Sequence, residues 1–372
     1  MKAVSIRKVT LYQIRMPLRA PFVTSLATVT DRELILAEVT DQDGMTGFGE
    51  CVAFDTPWYT EETVKTAWHV MEDILIPLLL EESLAHPTEA AGRFALVRRH
   101  FMAKAALEGA VWDLFAKRAG VSLARYVGGT RERIASGVAI GAQPTLEAMV
   151  EQVGRRVAEG YRRIKVKIKP GADGEILSAI RQAYPEVPLM ADANSSYTLQ
   201  DIERLKEWDD LDLLMIEQPL AADDIIDHAR LQQAIRTPVC LDESITSAED
   251  VRKAVQLGSC RIINVKLGRV GGWTEALRIH EWCREHGVDL WCGGMLESGI
   301  ARAHNIALAS LPGFTLPGDI SASARYWEKD VIHPEVVVEE GMIRVPTEPG
   351  IGVDLDWEYL EHVMVRKQSW TP

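Results

Sequence analysis

Arg163-Ile164-Lys165-Val166-Lys167-Ile168-Lys169 decides the fold. Ile164, Val166 and Ile168 alternate strictly with Lys165, Lys167 and Lys169, which is the period of a β-strand. Taken alone, the stretch reads as an edge strand with a solvated lysine face, because lysine is rarely buried. The sequence downstream argues against that reading. Asp192 ends the apolar run Val187–Ala191, Glu217 ends Leu213–Ile216, Asp242 ends Val239–Leu241, and Lys266 follows Arg261–Val265. Counted from Lys167, the intervals are 25, 25, 25 and 24 residues, the length of one strand-plus-helix unit. Each unit delivers one charged side chain from the end of its strand, and a solvated face has no reason to keep such a beat.

Outward from this stretch, strands alternate with helices. The pattern predicts strands at Ala135–Ile140, Arg163–Ile168, Val187–Ala191, Leu213–Ile216, Val239–Leu241, Arg261–Val265 and Asp289–Cys292, and a last one near Phe314–Leu316. Helical spacing lies between them, and the class is α/β. Eight strands in strict βα alternation argue for a parallel sheet closed as a barrel. An open doubly wound sheet is the alternative, but the G-x-G-x-x-G fingerprint is absent and the charged strand ends do not cluster at one switch point. Residues up to about 125 read differently. Strands at Val4–Leu11, Leu34–Thr40 and Met45–Glu50 form an antiparallel meander, followed by helices Val64–Leu80, with a start signal at Thr60–Thr63, and Met102–Ala119. Between these elements, Pro17–Thr30 and Cys51–Tyr59 mix aromatic with small polar residues, which suits either a partly apolar ligand or packed turns.

Composition limits what the barrel can do. The 372 residues, 47% hydrophobic and 26% charged, are those of an ordinary globular protein of two domains, one large. A formal net charge of −13 argues against nucleic acid or an anionic membrane as partner. No apolar run approaches the roughly 20 residues needed to span a bilayer. The start, Met1 to Lys8, lacks a signal-peptide core, and the five cysteines show no Cys-x-x-Cys pair; they read as reduced, buried thiols of a cytoplasmic protein.

If Ile164, Val166 and Ile168 face the helices, Lys165 and Lys167 point into the barrel mouth. Asp192, Glu217 and Asp242 arrive at the same rim from the next three strand ends, and three crowded carboxylates call for a divalent cation. All-oxygen ligation selects a hard ion, Mg²⁺ first and Mn²⁺ second. Lys266 comes from the strand beyond, so two potential bases flank the metal. That layout suits abstraction of a proton from the carbon next to a carboxylate, with a lysine of lowered pKa as base.

The ordered set of Lys165-x-Lys167, Asp192-Ala193-Asn194, Glu217-Gln218-Pro219, Asp242-Glu243-Ser244 and Asn264-Val265-Lys266 resembles the enolase superfamily, in its Lys-x-Lys, muconate-cycloisomerase-like branch; a Lys base working with Mg²⁺ is a general feature of such sites. Gly160 to Gly171, Gly268-Arg269-Val270-Gly271-Gly272, Gly293 to Gly299, Phe54 to Tyr59 and Pro317-Gly318-Asp319 narrow the likeness to the o-succinylbenzoate synthase / N-succinylamino acid racemase (N-acylamino acid racemase) subfamily. The resemblance implies a modified (β/α)7β TIM-like barrel, residues 126–323, under an α+β capping domain, residues 1–125. Residues 324–372 would return to the cap, with a hairpin of Val336–Val338 and Met342–Val345.

It also implies roles. Asp192, Glu217 and Asp242 match the metal ligands, and Lys167 and Lys266 the acid/base pair that works through an enediolate. Lys165 would lie close and keep the Lys167 pKa low. The implied reactions are a syn dehydration on the route to menaquinone, the racemisation of N-succinylamino acids, or both, by a homo-oligomer acting on a small carboxylate. Glu243 is a fourth oxygen donor or, preferably, an orienter of a lysine; Asn194 is placed with it. Arg269 either tunes Lys266 or is a plain surface arginine. Phe22, Ser25, Phe54, Trp58, Tyr59, Ala139, Gly294, Met295 and Leu296 are the expected substrate contacts. Ala139 stands where close relatives are expected to carry serine. Other Lys-x-Lys reactions (dipeptide epimerisation, muconate cycloisomerisation) and a Schiff-base lyase on the same kind of barrel remain as alternatives, as does a non-catalytic descendant of the fold.

Overall fold

The computed structural model describes residues 3–23, 28–171 and 173–372. Its central sheet has seven parallel strands: Gly137–Ile140, Arg163–Lys167, Leu189–Asp192, Ile216–Glu217, Val239–Leu241, Ile262–Val265 and Asp289–Cys292. They lie side by side in sequence order, which is what consecutive βα units produce. The helices between them are set by short local signals. Thr145, Ser247 and Ser298 cap the starts of Leu146–Ala158, Ala248–Leu257 and Gly299–Ala309 by accepting backbone N–H bonds, each worth about 1 kcal/mol. Gly258 and Gly287 end two helices in the left-handed conformation.

The strand faces divide as period-2 geometry demands. Ile164, Val166, Ala191, Ile216, Leu241, Ile263 and Val265 point outward into one large apolar cluster with the helices, each large side chain contributing roughly 1.5–3 kcal/mol. Met190, Met215, Cys240, Ile262 and Trp291 form a separate apolar floor inside the barrel. Lys165 is opposite Met190, and Lys167 is opposite Asp192, which in turn is opposite Glu217. Both lysines therefore share the inward face, Lys165 level with Met190 of the floor and Lys167 one layer above it.

The expected eighth strand at Phe314–Leu316 is not formed. Pro312 and Pro317 flank it and offer no N–H through which pairing could extend at either end, and the chain closes the barrel by single bonds instead. Leu316 N–H donates to Leu290 O (3.2 Å), Asp319 N–H to Cys292 O (2.9 Å), and Gly137 N–H to Gly318 O (2.7 Å). The seventh strand is thereby tied to the first through Pro317-Gly318-Asp319.

The cap is a four-stranded antiparallel sheet in the order Met364–Trp370, Ile6–Val23, Thr28–Asp41, Thr46–Cys51. Helix Phe101–Arg118 packs on it and is buried on nearly every side. The contact is close because Gly47 and Gly49 lack side chains; a Cβ at Gly49 would lie 2.0 Å from Ala106 O. Two expectations need correction here. Met342–Arg344 pairs with Arg133–Ala135 rather than with Val336–Val338, which is not a strand. The helix after the aromatic loop is capped by Thr63 with Thr66, not from Thr60. All five cysteines are free and buried, and among the described residues no helix is long and apolar enough to cross a membrane.

Candidate active site

A cleft with about 620 Å³ of open space lies where cap loops meet the C-terminal ends of the barrel strands. Lys165, Lys167 and Lys266 line it, with Ala139 and Asn194 from the barrel, Phe22, Phe54, Trp58 and Tyr59 from the cap, and Gly294, Met295 and Leu296 after the seventh strand. The residues expected from sequence to contact substrate thus line this cleft, except Ser25, which falls outside the described residues.

Asp192, Glu217 and Asp242, each at most 1% exposed, are tied to the lysines that line the cleft. Lys167 Nζ bonds Asp192 Oδ2 at 2.6 Å and Asn194 Oδ1 at 2.5 Å. Lys165 Nζ is shared among Asp192 Oδ2 (3.1 Å), Glu217 Oε2 (3.1 Å) and Asp319. Lys266 Nζ bonds Asp242 Oδ2 at 2.7 Å and Tyr59 Oη at 2.8 Å, and lies 4.6 Å from the Tyr59 ring centre. Burial opposes charge on Lys165 and Lys266, but their carboxylate neighbours outweigh it and hold both ammoniums above the ordinary lysine range. For these two, opposite charge at hydrogen-bond distance exceeds desolvation.

The carboxylates show the same balance from the other side. Burial works against Asp192 and Asp242, yet Lys167 and Lys165 hold the first below its usual range, and Lys266 and Arg269 the second. Glu217 goes the other way. Burial, then repulsion from Asp192, pushes it up to about 8, with Asp242 adding to the rise. Three carboxylates are too close for one of them to ionise comfortably.

Arg269 is no surface arginine. At 2% exposure it bonds Asp242, Ile245 O (2.7 Å) and Asn264 O. Asn194 Nδ2 donates to Glu243 Oε1 (3.0 Å), so Glu243 orients Asn194, which in turn holds Lys167.

Sequence reasoning missed four groups. Asp319 joins Lys165 to Arg163, a fully buried arginine one step below on the same strand face. Asn264 Nδ2 donates to Glu217 Oε1 (2.7 Å). Glu297 and Tyr326 also line the cleft. Asn264 was findable, standing two residues before Lys266 and so on its face; the motif Pro317-Gly318-Asp319 was the signal for Asp319.

Among the described residues no three His, Cys, Asp or Glu side chains form a ready-made metal cluster, since lysine ammoniums bridge the carboxylates. The residues fit a cation nonetheless. The donors are all oxygen, Glu217 is pushed up by burial and then by Asp192 and Asp242, and Asn264 Oδ1 and Glu243 Oε2 are buried without a partner.

The enolase C-terminal domain-like family model matches residues 148–359, and that of the mandelate racemase / muconate lactonizing enzyme N-terminal domain matches residues 6–128. The chain belongs to the enolase superfamily. Members of this superfamily depend on a metal. An o-succinylbenzoate synthase of Geobacillus kaustophilus is 59% identical, the match covering 96% of both chains. An N-succinylamino acid racemase of Thermus thermophilus is 46% identical over 94% of this chain and 95% of its own. A crystal structure of an enolase-superfamily member from Listeria innocua superposes with a TM-score of 0.97 at 43% identity, covering 99% of each chain.

Proposed function

We propose that this protein removes the proton α to a carboxylate with metal assistance, as an o-succinylbenzoate synthase, an N-succinylamino acid racemase, or both. The observation that carries the reading is the pairing of Lys167 and Lys266 at one cleft, each bonded to a different carboxylate of the Asp192, Glu217, Asp242 set. The names of relatives up to 59% identical support the substrate class. Asp192, Glu217 and Asp242 would hold the metal, Mg²⁺ before Mn²⁺. When bound, it supplies the positive charge that stabilises the extra negative charge gained by the substrate carboxylate as the α-proton leaves.

The chain's own residues do the rest. In dehydration, Lys167 Nζ takes the α-proton and returns it to the departing hydroxide, so that water leaves from the same face, while Lys266 stays a cation and steadies the developing charge. In racemisation one lysine removes the proton and the other delivers one to the opposite face, and the roles exchange with the enantiomer. Asn194, Glu243 and Arg269 fix the lysines and Asp242, and the cap loops close over the apolar part of the substrate. On this reading residues 1–125 with the tail 324–372 form the cap of a cytoplasmic homo-oligomer, and residues 126–323 carry catalysis.

The test follows o-succinylbenzoate formation from its cyclohexadiene precursor beside α-proton exchange in D₂O with each enantiomer of an N-succinylamino acid. At least one activity is expected, lost to chelator and restored by Mg²⁺. Neither activity, with Mg²⁺ binding demonstrated by calorimetry, would overturn the substrate class.

A further inference from the structure

Arg32 is 1% exposed, yet among the described residues its guanidinium bonds no carboxylate. Its partners are backbone carbonyls of two separate loops. Nη2 donates to Val52 O at 2.7 Å and Nη1 to Ala53 O at 3.2 Å in the cap. Nε donates to Leu296 O at 3.3 Å after the seventh barrel strand, with Met295 O at 3.5 Å from Nη2. A buried charge that bonds no carboxylate directly is costly unless its donors are met; here carbonyls of both loops meet them, while Glu50 and Glu297 act on it only through longer-range attraction. Burial lowers its pKa to about 10, which leaves it charged at neutral pH.

What the clamp holds is the apolar end of the cleft. Leu296 has φ +55°, a left-handed conformation that costs a non-glycine residue roughly 1–2 kcal/mol, and its carbonyl is one that Arg32 binds. On the other side the guanidinium lies 4.0 Å from the Phe54 ring centre. Phe54 packs on Trp58 at 4.5 Å, and Trp58 on Tyr59, whose hydroxyl meets Lys266.

We propose that Arg32 is a positioning residue for substrate selection, tying the cap's aromatic loop to the Met295–Leu296 loop and so fixing the width of the apolar end of the cleft. The selection part rests on the function proposed above; the tie itself does not. The test compares wild type with Arg32→Met and Arg32→Lys by amide hydrogen exchange without substrate, and by kinetics on N-succinylphenylalanine and N-succinylalanine.

In Arg32→Met, amides near both Val52–Phe54 and Met295–Leu296 should exchange at least tenfold faster, while strand Arg163–Lys167 keeps wild-type protection. KM for the phenylalanine substrate should rise at least tenfold, more than kcat falls and more than KM for the alanine substrate. Arg32→Lys, which keeps the charge but fewer bonds, should recover part of both effects; if Arg32→Met does not fold, this variant decides. Unchanged exchange in either loop, or a loss confined to kcat, would overturn the proposal. If wild type turns over neither substrate, the function reading fails, and hydrogen exchange still decides whether the tie exists.

Discussion

Lys167 and Lys266 line one cleft but are held in different ways. Both partners of Lys167, Asp192 and Asn194, come from the next barrel strand and its loop. Lys266 has one barrel partner, Asp242, and one from the cap, Tyr59, whose hydroxyl in turn donates to Asp242 at 3.1 Å. The first base belongs to the barrel alone, whereas the second is shared between domains. A barrel end supplies fixed charge from rigid strands, while a cap loop can make one face of the reaction depend on closure. Perturbing the cap should therefore damage chemistry on the Lys266 face more than on the Lys167 face.

The largest expected effect is Lys167→Ala, which should abolish dehydration and racemisation alike, by at least about a thousandfold in kcat. Steady-state assays of both reactions check it, and survival of either breaks the assignment of the barrel-held base. Lys266→Ala should remove racemisation to the same extent but reduce dehydration less, because there the lysine only steadies charge. Equal losses in the two assays would mean that the lysines are not asymmetric. Tyr59→Phe keeps the ring over Lys266 and deletes the hydroxyl. Loss of a hydrogen bond to a charged group, roughly 1.5–3 kcal/mol, should slow racemisation about tenfold or more and dehydration by less than about threefold. A variant that slows both equally would show that the cap serves binding and not one base.

The lysine side of this comparison was legible in the sequence and the cap side was not. The strand beat from Lys167 to Lys266 encodes which residues share the inward face, because alternation and a 25-residue unit are local properties that survive folding. Asp192, Glu217, Asp242 and both lysines follow from it, as does the parallel sheet. What the beat cannot encode is who meets whom across long separations. Asp319 reaches Arg163 from 156 residues away, and Arg32 reaches Leu296 from 264. The missing eighth strand has the same origin: its apolar run reads as a strand, but Pro312 and Pro317 flank it and only single bonds to the first and seventh strands form. The raised values of Lys165 and Lys266 have the same origin: burial is legible from an apolar context, whereas the distance to a carboxylate is not.

The smallest effect concerns two cap carboxylates. Glu62, just after the aromatic loop, accepts the N–H groups of Met102 (2.8 Å) and Ala103 (3.1 Å) at the start of the cap helix. Glu50 does the same for Ser298 and Ala301 at the start of Gly299–Ala309. Burial pushes both carboxyls up to about 7, from an ordinary 4.5. The folded state therefore binds more protons than the unfolded chain between these values. Stability from these groups is fully present below about pH 4.5 and is lost as pH rises toward 7, by at most about 1.4 kcal/mol per pH unit and group. Asp192 and Asp242, held below their usual range, act in the opposite sense and lose their contribution only on acidification. Urea midpoints of the chelator-treated protein should therefore fall from pH 5 to pH 7. Glu62→Gln, which cannot ionise, should flatten that slope by one group's share. A slope unchanged in Glu62→Gln and in Glu50→Gln alike would place the pH dependence in the barrel and not in these two cap carboxyls.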